Sequence, residues 1–278
     1  MKGILFGGCS FTWGQGLYFY SDLPNLYNPK SIYEFPGHKV TEAQIRFKNT
    51  LHYPRLVANY FNTFEVVKPF NGGSDDESFD FFKHVFDNPN VKFFPKKEKR
   101  DIFTPKALDK FTYDDFDYIV IQLSAILRNE FYFNIGNQTF TSLFSAKNHR
   151  ILEYMKINNY TFDDCYEQFL DQQFNRLKTE LMFYESKGIK IKIILWFNDL
   201  LSRIQNDIFF KNKIITLNYD NKVFDNVLEL GDSYDEMYII TDPYFKGKKF
   251  NDYHPSKLLH QLIAEGVIRS IEFDINEK

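Results

Sequence analysis

Cysteine, glycine, proline and long apolar runs are all scarce in this 278-residue chain, and each scarcity excludes something. Two cysteines, Cys9 and Cys165, cannot build a disulfide framework, so no oxidising compartment is implied. Thirteen glycines and ten prolines are too few for collagen-like or low-complexity sequence. No stretch reaches the roughly 18 apolar residues of a membrane span. Neither sign of charge dominates: 34 Lys and Arg face 37 Asp and Glu, a net charge of −3. A general nucleic-acid binder needs a basic surface, so that class is not expected. The start, MKGILFGGCS, sets only Ile4, Leu5 and Phe6 before its glycines. A signal peptide needs about 7–15 apolar residues in its central region, so no signal peptide or lipoprotein site is expected. The expected location is the cytoplasm or, for a phage-encoded chain, the phage particle.

What is abundant is aromatic: 32 Phe and 18 Tyr, enough to fill a sizeable core. Short apolar runs alternate with helical patterns. Strands are expected at Gly3–Gly7, Phe64–Lys68, Asp117–Ser124, Ile189–Trp196 and Lys213–Leu217. Helices are expected at Thr50–Asn62, 75–87, Phe162–Lys187, 198–210 and Ser256–Ile271. A hairpin is expected at Gly136–Asn137. This alternation implies a flavodoxin-like, three-layer α/β/α fold with a mostly parallel sheet. With no repeat and no linker, one domain is expected over 1–278. Aromatic-rich loop insertions fall near 17–45, 88–112 and 128–161. The rings at 17–36 and 131–144 either stack on sugars or pack a small core of their own. The basic run 96–100 reads as a solvated loop or as an anion contact.

Polar residues gather in three stretches just after strands or before the last helix: 7–16, 71–78 and 251–266. In open parallel sheets, ligand sites form beyond the carboxyl ends of the strands. Ser10 sits at a strand-to-helix turn, where it serves either as an N-cap or as a nucleophile. A serine nucleophile needs a base, and His254 is the side chain suited to that exchange near neutrality. Asp252 is the carboxylate available to orient it. Cys9 and Ser10, adjacent at a strand end, face opposite ways, so Cys9 is expected to be buried and inert. The turn at 7–16 lacks the Lys–Ser/Thr of a phosphate loop, and the histidines and cysteines show no zinc spacing.

These blocks resemble the SGNH, or GDSL-like, hydrolases, most of all divergent phage and environmental bacterial members. The nucleophile block of that family matches Gly8-Cys9-Ser10-Phe11-Thr12-Trp13-Gly14. Its second-block glycine matches Gly73, and its terminal block matches Asp252-Tyr253-His254-Pro255-Ser256 with His260 and Ala264. Three departures stand out: Cys9 replaces the usual Asp; the third-block Asn is absent near Ile126; and the usual acid spacing would fall on Asn251. The resemblance implies a serine esterase hydrolysing an O-acyl ester, for instance a glycan O-acetyl group. Ser10 would attack, His254 would exchange the proton and Asp252 would orient it. The N–H groups of Ser10 and Gly73 would bind the oxyanion, with Arg128 as a side-chain donor in place of the missing Asn. Asn129 and Gln122 are the next candidates, and an Arg128–Glu130 ion pair is the competing expectation. No metal and no organic cofactor is implied. The expected partner is a small-molecule or glycan ester, not nucleic acid and not a membrane. The rival expectation is a non-catalytic carbohydrate-binding or virion module that kept the fold.

Overall fold

A computed structural model describes residues 1–9, 12, 14, 17, 20, 42–68, 74–87, 111–239 and 254–277. Its centre is a parallel sheet of β1 (Gly3–Gly7), β2 (Glu65–Val67), β3 (Phe116–Leu123) and, after the hairpin β4 (Glu130–Ile135) and β5 (Gln138–Leu143), β6 (Lys190–Leu195). Their order is β2-β1-β3-β6, with Phe6 beside both Val67 and Val120, and Ile121 beside Ile193. Every residue of β1, and seven of the eight in β3, is buried. That is why these strands read as continuous apolar runs: a parallel sheet is covered on both faces. A fifth segment joins beyond β6, where the Ile193 N–H donates to the Lys213 carbonyl and the Ile215 N–H to the Ile193 carbonyl, both at 2.8 Å. The resulting order is that of the flavodoxin-like sheet.

Alternate residues of the strands point to opposite faces and divide the core. On one face Leu5, Ile119, Ile121 and Ile193 pack against α3 (Asp75–Asp87) and α5 (Phe162–Ser186) through Phe79, Phe82, Leu177 and Leu181. On the other, Ile4, Phe6, Val120 and Ile194 pack against α2 (Tyr53–Tyr60) and α8 (Lys257–Asn276) through Tyr53, Val57, Leu259 and Ile263. Helices thus cover both sides of the sheet.

The expected helix over Thr50–Asn62 is two helices. α1 (Glu42–Leu51) stops at His52, which is extended, and α2 restarts with Pro54 in its first turn, where a missing N–H costs nothing. The expected helix at 198–210 is only α6 (Leu201–Asn206) followed by a single 3-10 turn, Ile208–Phe210. The expected strand Lys213–Leu217 pairs with the sheet only around Ile214. Its end instead enters a second hairpin, β7 (Leu217–Tyr219) and β8 (Lys222–Phe224), whose turn residues Asp220 and Asn221 both have positive φ. A short helix α7 (Val227–Ser233) follows.

The Gly136–Asn137 hairpin forms as expected, with Gly136 at φ +59. Between it and α5 lies α4 (His149–Asn158). Phe131, Phe133 and Phe144 are buried against Tyr154 of α4 and Phe169 of α5, and Phe144 stacks on Phe169 at 5.0 Å. These rings join the main core on that face of the sheet rather than a small core of their own, and are not free to stack on a sugar. The basic run at 96–100, and nearly all of the insertions at 17–45 and 88–112, lie outside the described residues. Among the described residues no helix is long and apolar enough to cross a membrane.

Candidate functional site

Beyond β1 the chain continues to α1 and α2 on one face; beyond β3 it continues to the β4–β5 hairpin and α5 on the other. The gap between the carboxyl ends of β1 and β3 is therefore the topological switch point, the usual ligand crevice of such sheets.

The turn leaving β1 is packed too tightly for side chains. A Cβ on Gly7 would come within 2.4 Å of the Phe82 ring, and one on Gly8 within 2.1 Å of Thr12 Oγ1. The Thr12 hydroxyl donates to Gln122 Oε1 at 2.8 Å and lies 2.9 Å from the Tyr53 hydroxyl. The Gln122 amide donates to Cys9 Sγ at 3.3 Å. Cys9 is buried, as expected. Gln122 is buried, and both ends of its amide hold the turn.

The end of β3 is tied to the start of α3. The Ser124 N–H donates to Asp75 Oδ1 at 2.7 Å, the Asn129 amide donates to Asp75 Oδ2 at 3.1 Å, and the Asp75 N–H returns a bond to Asn129 Oδ1. Burial pushes the Asp75 carboxyl above its ordinary range, and the Ser124 and Asn129 donors oppose that rise. Asn129, like Gln122, is buried and tied down through its oxygen and one of its two amide N–H groups.

Arg128 ends the 3-10 turn Ile126–Arg128, and its side chain is exposed. It does not pair with Glu130, whose carboxylate accepts from the Tyr132 hydroxyl at 3.2 Å. Its charge acts instead on Lys68 and on His254. Lys68 is 1% exposed just after β2, with Glu77 3.7 Å away. Burial pushes its ammonium down, the Glu77 and Asp75 carboxylates hold it up, and Arg128 adds to the lowering.

His254 is half-buried just before α8. Its carbonyl accepts from the Ile239 N–H at 3.0 Å, and two residues on, the Ser256 N–H donates to the Met237 carbonyl. Ser256 then caps α8 by accepting from the Leu259 N–H. Burial first, and Arg128 second, push the His254 imidazole down to about 3, so it is neutral at physiological pH. Behind it His260 is buried with Nδ1 accepting from the Tyr53 N–H at 3.3 Å and its ring stacked near the Tyr53 ring. Burial, Lys48 and His254 lower His260 likewise to about 3. Next to it, His52 is buried. Burial and Lys48 hold it neutral as well, against the Thr12 backbone, which favours its protonated form.

Of the residues expected to form the site, His254 and Arg128 are described: Arg128 follows β3, His254 precedes α8, and the Arg128 charge helps to lower the His254 imidazole. Ser10, Gly73, Asp252 and Asn251 lie outside the described residues. Sequence reasoning named Thr12 and His260 only as members of the matched blocks and Asp75 only within the polar stretch 71–78; it missed their hydrogen-bond partners, and it missed buried Lys68. Among the described residues no group of histidine, cysteine and carboxylate side chains could hold a metal ion. No protein-family model, no curated protein and no solved structure matches this chain.

Proposed function

We propose that this chain is an ester hydrolase of the SGNH type acting at the carboxyl edge of the sheet. Ser10 attacks the ester carbonyl while His254 takes the hydroxyl proton and returns it to the departing alcohol. Water, deprotonated by the same His, then releases the acid and restores Ser10. The N–H groups of Ser10 and Gly73 receive the oxyanion, and the Asp252 carboxylate orients the imidazole. What supports the reading is His254. Its backbone is pinned at the crevice edge, and its imidazole is neutral at physiological pH, as a general base must be. A base works best with a pKa near the operating pH, and the role given to Asp252 includes raising His254 toward it.

Arg128 is not assigned the oxyanion role that the resemblance implies. Oxyanion donors act by being fixed before charge develops. No hydrogen bond to a described residue fixes the Arg128 guanidinium. One observation favours the alternative of a non-catalytic carbohydrate-binding or virion module: the Gln122 and Asn129 amides are both buried and tied into the turns beneath the crevice.

The experiment is ester turnover with Ser10→Ala and Cys9→Ser. Ser10→Ala should lose activity toward short acyl esters by at least about 10³-fold, and Cys9→Ser should retain most of it. Near wild-type turnover by Ser10→Ala excludes the mechanism; a dead Cys9→Ser beside a live Ser10→Ala moves the nucleophile by one residue.

A further inference from the structure

One buried side chain touches both halves of the proposed site. Tyr53, at the start of α2, is fully buried. Its backbone N–H donates to His260 Nδ1 at 3.3 Å, which ties it to α8, the helix that follows His254. Its hydroxyl lies 2.9 Å from Thr12 Oγ1, in the turn that follows β1. The Thr12 hydroxyl donates to Gln122 Oε1 at 2.8 Å, and the Gln122 amide donates to Cys9 Sγ at 3.3 Å. Thr12 has one hydroxyl proton and gives it to Gln122, so the Tyr53 hydroxyl is the donor to Thr12. Burial raises the Tyr53 phenol above its ordinary value, and that proton stays in place. The donors therefore run one way, from Tyr53 through Thr12 and Gln122 to Cys9.

Cys9 and Thr12 bracket Ser10 in the sequence. Cys9, Thr12 and Gln122 are each 1% exposed, so these bonds are shielded from water. A buried polar chain adds little net stability over apolar groups of the same shape. What it adds is direction, since each bond holds its partners within a narrow range of distance and angle. A nucleophile and a base carried on separate elements need that control: a misplacement of about 1 Å costs about 100-fold in rate.

We propose that Thr12 and Tyr53 are positioning residues, which clamp the turn carrying Ser10 in register with the helix that follows His254. That the turn carries a nucleophile rests on the hydrolase reading above; that the turn is clamped by this chain is tested without catalysis.

Thr12→Val and Tyr53→Phe each remove one hydroxyl and keep the shape of the side chain, and Thr12→Ser keeps the hydroxyl. In site-resolved hydrogen exchange of the full chain, the amides of Gly8, Cys9 and residue 12 should exchange about tenfold faster in Thr12→Val and Tyr53→Phe than in the wild type or Thr12→Ser. Thr179→Val, whose hydroxyl bonds the Asn175 carbonyl on the outside of α5, should leave them unchanged. With a short acyl ester, Thr12→Val and Tyr53→Phe should lower kcat by about 10- to 100-fold at nearly unchanged KM, and Thr12→Ser should retain most of the wild-type kcat. If Thr12→Val does not fold, Tyr53→Phe, which leaves the turn's own residues intact, decides both measurements. A wild type that turns over no ester overturns the hydrolase reading, and the clamp then stands or falls on exchange alone. Wild-type exchange at these amides in folded Tyr53→Phe overturns the clamp. Faster exchange with unchanged kcat, or a loss that Thr12→Ser shares with Thr12→Val, overturns the positioning role.

Discussion

The two ends of the parallel sheet treat positive charge in opposite ways. Toward the amino end of β6, Lys192 is 2% exposed, and its ammonium is met by Asp274 at 2.9 Å and the Asn212 carbonyl at 3.2 Å. Lys190 reaches the same carboxylate at 3.7 Å, and neighbouring Lys213 pairs with Glu185 at 3.0 Å. At the carboxyl end Lys68 has Glu77 at 3.7 Å and Arg176 has Asp76 at 2.8 Å, but Arg128 meets no described carboxylate, and buried His260 keeps Nε2 without a partner among the described residues. One end closes its electrostatics internally and holds the frame. The other closes only part of its charge and leaves the Arg128 side chain exposed.

Breaking the closed end should cost the most. Asp274→Ala leaves the buried Lys192 ammonium without its carboxylate. Removing one partner of a buried pair costs about 3–5 kcal/mol, and the partial exposure of Asp274 puts this case at the lower end of that range. Chemical denaturation reads the loss directly; a change no larger than that of a surface substitution would erase the contrast between the two ends.

A smaller effect should appear as a pH dependence. The fold holds His260 neutral down to about 3, against an ordinary 6.5. The unfolded chain therefore binds the extra proton between these values, and stability falls as the pH drops through that window. His260→Gln should flatten the dependence between pH 7 and pH 5 by up to about 1.4 kcal/mol per pH unit. Asp76, raised to about 6 by burial, works in the opposite direction but is common to both proteins. Parallel stability curves for wild type and variant would mean that the imidazole is already matched in the fold.

The smallest effect should be at the open end itself. Arg128 is exposed and holds nothing together, so Arg128→Gln should change unfolding free energy by less than about 0.5 kcal/mol. A larger loss would give Arg128 a structural role and remove the asymmetry.

How much of this was legible in the sequence follows from the range of the interactions. β1, β3 and β6 show as apolar runs because both their faces are covered. The long helix α5 shows through Cys165, Phe169, Leu177 and Leu181 on its buried side, and the Gly136–Asn137 hairpin through its turn chemistry. The Asp220–Asn221 turn carried the same kind of signal, but its hairpin strands are only three residues long and show no periodicity. The break at His52 was written in Pro54 and outweighed by the apolar spacing around it. The Asp75 clamp joins residues 49 and 54 positions apart, and no local pattern encodes such a pairing. The unpaired state of Arg128 is more remote still, because it depends on where every nearby carboxylate went. The Glu130 side chain, two residues away, turned toward Tyr132.

The central claim is that the carboxyl edge is a working serine site rather than an inert remnant of the fold. Its most direct test is the intact mass of the protein after exposure to a fluorophosphonate that labels activated serines. The account predicts one covalent adduct on the wild type, located at Ser10, and none on Ser10→Ala. A wild-type chain that stays unlabelled, or a Ser10→Ala chain labelled to the same extent, would contradict it.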